Sequence, residues 1–173
     1  MFDSFKSTAR AGALLLSCVL TAALALAHDN PRGNATVTVG NAKVSIDYGR
    51  IYLKGRDLMK MIQVGQLWRV GADAPTTLTS SAPLMFDGQR VPAGSHILLA
   101  RFVEQGRWAL VVSSKSAFEY QPAAKIAEMP LDLTEAQPAV DLLTITLQSH
   151  GGKGAIQIAW GPYRLTGSFE PAN

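Results

Sequence analysis

Beyond Ala35 most of the chain alternates apolar and polar residues with a period of two. Val37 and Val39 are set against Thr36 and Thr38; after Gly40-Asn41, Val44, Ile46 and Tyr48 are set against Lys43, Ser45 and Asp47. That period places every second side chain on one face of a strand. Gly-Asn tolerates the backbone of a tight turn, so the two runs predict a β-hairpin. Leu84-Met85-Phe86, Asp87-Gly88 and Gln89-Arg90-Val91 repeat the signature. Ser95 to Val103 and Trp108 to Val112 are joined across Glu104-Gln105-Gly106 and are apolar on both faces. Strands covered from each side look like this, so these two are expected at the centre of the core.

The remaining pattern is shorter. Asp57 to Ile62 predicts one or two helical turns packing Leu58, Met61 and Ile62 on the sheet. Leu67 to Val70 and Thr76 to Ser80 read as short strands. Ser113 to Ala139 carries Pro122, Pro130 and Pro138 and reads as a long loop with a strand fragment near Leu131 to Leu133. Leu143-Ile145-Leu147, Ile156-Ile158-Trp160 and Tyr163-Leu165-Phe169 then mark three one-faced strands, with Gly151-Gly152 and Gly161-Pro162 as their turns. Roughly ten short strands with turn signals about every 8–12 residues predict an all-β fold. The expected form is an antiparallel β-sandwich, or a barrel-like sandwich, with at most one short helix.

The N-terminus changes the picture of where the protein works. Lys6 and Arg10 precede the apolar run Ala11 to Leu26, and Ala25-Leu26-Ala27 supplies small residues at a cleavage point. The run falls short of the about 20 strongly apolar residues of a membrane span. Cys18 lies inside it without the polar tether of a lipoprotein. Residues 1–27 are therefore expected to be a signal peptide cleaved near Ala27, sending a periplasmic or secreted protein out with no membrane span. Residues 28–35 are expected to be a flexible lead-in and 36–170 a single β-sandwich domain. The one cysteine leaves with the signal, so the core alone must hold the fold. Removing Lys6, Arg10 and Asp3 from 16 basic and 13 acidic residues leaves 14 and 12, a formal charge of +2. With no basic stripe, nucleic acid is not an expected partner.

Candidate chemistry concentrates between Asp47 and Asp73. Arg50, Lys54, Arg56, Trp68, Arg69 and Asp73 together offer guanidinium forks and a stacking face, suited to a small anionic or carbohydrate ligand or to an envelope protein. The competing reading is a structural corner, with Trp68 in the core, Arg69 paired to Asp73 or Asp47, and Lys54-Gly55-Arg56 bonding backbone carbonyls. Histidine supplies an alternative. Cleavage after Ala27 would leave His28 at the mature N-terminus, where amine and ring can chelate copper if His96 or His150 joins them. No catalytic residues are assigned. The chain lacks G-x-S-x-G and H-E-x-x-H, and Gly151-Gly152-Lys153-Gly154 reads as a hairpin turn rather than a phosphate loop. A non-enzymatic binding or envelope-accessory module is the expectation, and a small copper-binding or carbohydrate-active protein using His28 is the alternative.

Several short motifs in register also carry a family resemblance. Val44-x-Ile46-Asp47-Tyr48-x-Arg50, Lys54-Gly55-Arg56, Trp68-Arg69-x-Gly71-Ala72, Thr76-Thr77 and Pro92-Ala93-Gly94 resemble an exported bacterial family, the domain of unknown function 2911 (DUF2911). The resemblance implies an all-β domain and brings no activity. This chain departs from the family pattern in having Ile51 where the family has proline and Ala74 where it has an acid.

Overall fold

A computed structural model of the chain describes residues 30–172. The expected signal peptide and His28 lie outside them. The N-terminal half contributes β1 (Arg32–Val39), β2 (Ala42–Gly49), the single-turn helix α1 (Leu58–Met61), β3 (Leu67–Trp68) and β4 (Thr77–Ser80). There follow β5 (Leu84–Phe86), β6 (Gln89–Val91), β7 (Gly94–Glu104), β8 (Arg107–Ser113), β9 (Lys125–His150) and β10 (Lys153–Pro171). The ten strands form one antiparallel sheet in the order β1-β2-β4-β7-β8-β9-β10-β5-β6, with β3 pairing β7 off that path. β1 packs on β9 and β10 although the order separates them. The sheet thus curls over its own inner face without closing into a barrel.

The predicted hairpins form through their turn chemistry. Gly40 takes φ +56 and Val39 pairs with Ala42, giving a two-residue turn that needs glycine only at its first position. Asp87 and Gly88 both take positive φ, as do Gly151 and Gly152, so each pair closes a tight turn. β7 and β8 occupy the middle of the sheet as expected. Leu98, Leu110 and Val112 are buried on the inner face, and Leu99 and Val111 on the other.

Three expectations are corrected. The lead-in is shorter than its breakers suggest, because Arg32 to Ala35 pair with Gly49 to Ile46 and bury Ala35. Ser113 to Ala139 is not a long loop, since β9 begins at Lys125 and runs for 26 residues. Its inward alternation of Ala127, Met129 and Leu131 is intact beneath the prolines. Pro130 precedes the residues that pair β10, and Pro138 falls where that pairing shifts register. At Pro130 β9 pairs with Ala109 of β8 but not with β10, and at Pro138 the β10 pairing is interrupted, so each proline has an open side on which a missing N–H costs no ladder bond. Finally, Gly161-Pro162 does not turn the chain. β10 runs through it for 19 residues, with register shifts on either side of Gly161, so the expected third strand is the second half of a bulged one.

The curled sheet is stitched across its opening by the residues that follow β2. Leu53 N–H donates to Asp141 O at 2.7 Å and Leu143 N–H to Ile51 O at 3.0 Å, framing a bridge between Tyr52 and Leu142. This ladder uses the carbonyl of Ile51 and not its N–H, so the family's proline would lose no bond there. Tyr48 Oη accepts from Ile145 N–H at 2.9 Å inside the core. Gly49 lies directly against the turn before β4, where Ala72 N–H donates to Gly49 O at 3.1 Å. A Cβ on Gly49 would stand 1.9 Å from Ala72 O.

On the outer face Glu128 of β9 pairs with Arg101 of β7 and, at 2.9 Å, with Lys125. Burial pushes the Glu128 carboxyl up, but the hydrogen bonds and charges of Lys125 and Arg101 outweigh it and hold the group below its ordinary value.

Two predictions follow from these contacts. Gly49→Ala should destabilise by about 2–4 kcal/mol in urea denaturation, because backbone must move. Gly55→Ala, at φ +71 with open space around it, should lose only about 1–2 kcal/mol; equal losses would contradict the close-contact account. Because folding lowers the affinity of Glu128 for its proton, its contribution is complete above the unfolded carboxylate pKa and disappears as pH falls through the folded value. The stability gap between wild type and Glu128→Gln should therefore be full above about pH 5 and shrink steadily toward pH 3. A gap that is flat across that range would remove the ion pair as its source.

Candidate functional site

The segment from Arg50 to Asp73 divides into two parts. Its first part is the corner. Arg50 Nε donates to Leu143 O at 3.1 Å and its Nη2 to Thr144 Oγ1 at 3.0 Å, so the guanidinium lies along β9 and extends the stitch. Lys54 takes φ +54 in the turn, where its N–H donates to Asp141 Oδ1 at 2.8 Å and its side chain is exposed. Arg56 folds back on the same turn, donating to Leu53 O and Tyr52 O at 2.8 Å each. The guanidinium groups of Arg50 and Arg56 thus bond backbone carbonyls, whereas Lys54 contributes its backbone N–H to the turn and leaves its ammonium in solvent.

The second part is different. Trp68 stacks on Trp160 of β10, with centroids 5.5 Å apart and planes 8° from parallel, and meets Trp108 edge-on at 6.3 Å. Such pairs add about 0.5–1.5 kcal/mol each beyond the area they bury. Trp68 is nonetheless only half-buried, and with Trp160 it lines a cleft of about 480 Å³ between α1 and the loop after β8. Asp57 caps α1 by accepting from Met59 N–H at 2.9 Å and also accepts from Tyr163 Oη at 3.3 Å. Burial and the Asp57 charge push the Tyr163 phenol above its usual value. Met61 does not pack on the sheet as its spacing suggests; it is 42% exposed and lines the cleft.

Arg69 stands at the edge of this cleft. It pairs with neither expected aspartate, because Asp47 binds Arg32 and Asp73 accepts from Asn30 Nδ2 at 3.1 Å. Among the described residues its one partner is an aromatic ring. Its guanidinium carbon lies 5.3 Å from the centroid of Phe118, itself 83% exposed. A second cavity of about 150 Å³ opens on the other side of Arg69, over Ile97 and Leu99 of β7. The turn that carries Arg69 is strained at Val70, a fully buried β-branched residue at φ +53, where such residues rarely sit. Thr76 Oγ1 fixes it by donating to Val70 O at 2.9 Å.

The other candidates are dispersed. His96 Nε2 donates to Pro92 O at 2.8 Å, His150 is exposed at the end of β9, and His28 lies outside the described residues. Among the described residues no three His, Cys, Asp or Glu side chains come together in a group able to hold a metal ion. Asp47 and Asp73 have separate partners. The structure adds Phe118, Met61 and Trp160 to the site. Phe118 shares a polar stretch with Tyr120, and no periodicity marks it.

What the arrangement offers is one cation with a free fork, beside apolar and aromatic walls. Comparison with curated proteins and with solved structures gives no match. The family comparison is positive, and its extent takes in the stitch, the strained turn and the cleft alike. Over residues 30–168 the chain matches the model described as "Protein of unknown function (DUF2911)", and it belongs to that family.

Proposed function

We propose that the mature chain is an exported, non-enzymatic binding module whose ligand seats at Arg69 and the cleft beside it. The observation that carries this reading is the half-buried Arg69 guanidinium, which has an aromatic neighbour and no carboxylate among the described residues. A partly exposed guanidinium with no carboxylate beside it keeps its fork available to an incoming anion. The first half of the segment supports the fold, so the recognition surface contracts from Arg50–Asp73 to Arg69, Trp68 and the facing Phe118. Binding is favoured over catalysis because this surface offers one cation and apolar walls, without a nucleophile held by a base. Export is supported by Lys6, Arg10, the apolar run and Ala25-Leu26-Ala27.

Two measurements test the reading. Arg69→Ala removes a cation–π contact and no hydrogen bond, so melting should change by no more than about 1 kcal/mol of stability. The same variant should lose the thermal stabilisation that a metabolite and glycan screen detects for wild type. A large melting loss with no stabilising compound for wild type would make Arg69 a structural residue. For export, N-terminal sequencing of the protein recovered outside the cytoplasm should begin at His28; recovery of uncleaved chain from the cytoplasm alone would refute that part.

A further inference from the structure

We infer that the ligand is a single-chain carboxylate amphiphile, its aliphatic chain lying along the Trp68–Met61 cleft and its carboxylate bonded by Arg69. This rests on the binding reading above and narrows its ligand class. The cleft volume of about 480 Å³ falls in the about 300–1,000 Å³ range of small-molecule sites. Its walls are Leu58, Met61, Ile62, Trp68, Phe118 and Trp160, and Arg69 is the one charged residue among those lining it.

That composition discriminates among ligands. A saccharide needs several side-chain donors and acceptors, and here Gln66 is the one uncharged amide on the lining. A polyphosphate or a phosphomonoester calls for more than one cation, whereas a single guanidinium fork matches the two oxygens of one carboxylate. Exposure points the same way. Phe118 at 83% and Met61 at 42% leave apolar surface in water on either side of the cleft, which a bound alkyl chain would cover. A bilayer surface would satisfy the apolar residues as well, but it is recognised by clusters of basic side chains. Arg56 is folded onto Leu53 and Tyr52 carbonyls, and Lys60 stands 3.8 Å from Asp57. The concave shape and a lining that carries one cation favour the monomeric amphiphile.

The test titrates the mature chain with dodecanoate below its micelle concentration, by calorimetry and tryptophan fluorescence. Dodecyl maltoside serves as the neutral-headed control and phosphatidylglycerol vesicles as the membrane arm. Dodecanoate should bind one per chain and perturb tryptophan emission, while Arg69→Gln and Met61→Asp each weaken it by about tenfold or more. Both positions are solvent-accessible, so the variants should fold, and unchanged melting checks that they do. Dodecyl maltoside binding as tightly as dodecanoate, or dodecanoate binding that ignores Arg69→Gln, overturns the inference. Vesicle binding without dodecanoate binding overturns it in favour of a membrane surface. If dodecanoate fails while another screened compound stabilises wild type and not Arg69→Ala, the ligand class falls and the binding module stands. If no compound does so, both fall.

Discussion

The contact between Gly49 and the Val70-Gly71-Ala72 turn is the constraint on which the rest depends. Two stretches of backbone meet there with no room for a side chain: a Cβ on Gly71 would lie 2.9 Å from Gly49 O, and one on Gly49 would overlap Ala72 O. From this point the chain leaves β2 to stitch onto β9, and to it the chain returns before entering β4. The excursion between them, which carries α1 and β3, is therefore pinned at both ends. A loop closed over such short contacts has little freedom left to lose when it binds. The proposed binding cleft is thus borne by a loop on a packed sheet, the usual division of labour between surface and scaffold.

Arg50 and Arg69 show how the same residue type takes opposite roles within one segment. Arg50 lies along β9, donating to the Leu143 carbonyl and to the Thr144 hydroxyl, which in turn donates to Leu142 O. Removing it would take a donor from each. Arg69 has no such obligation. Its charge is held over Phe118 by the ring quadrupole, worth about 0.5–1 kcal/mol at an accessible site, which is less than a charge-assisted hydrogen bond to an anion. The contact therefore keeps the guanidinium poised without competing strongly for it.

Local chemistry made the hairpins and central strands legible. Gly40, Asp87-Gly88 and Gly151-Gly152 are turn residues for reasons internal to the turn, and two-faced apolar runs have few uses other than central strands. β9 was obscured because Pro130 and Pro138 are read as breakers unless the strand is known to be unpaired on one side there, which depends on where the pairing with β10 ends and where it shifts. Gly161-Pro162 resembles a turn for the same reason; whether it bends or bulges depends on the partner strand. The site was half legible. Trp68 and Arg69 stood out, but separating them from Arg50 requires the contact of Arg50 with a carbonyl 93 residues away. Phe118 could be found only once Arg69 was seen beneath it.

The strain at Val70 could be taken as a sign of function in itself, and magnitudes argue for a more limited view. A β-branched residue held in the left-handed region costs about 1–3 kcal/mol. Glycine would remove that cost but would also delete a side chain that is fully buried in the core, losing roughly 2–4 kcal/mol in transfer and cavity terms. Packing outweighs strain, so valine is the more stable choice even if the turn does nothing. The consequence reaches the site all the same. With Val70 anchored inward and Thr76 clamping its carbonyl, the residue before it is held at the rim between the two cavities. The core thus sets where Arg69 stands, and its exposure to a ligand follows from how the sheet packs, without any separate device to aim it.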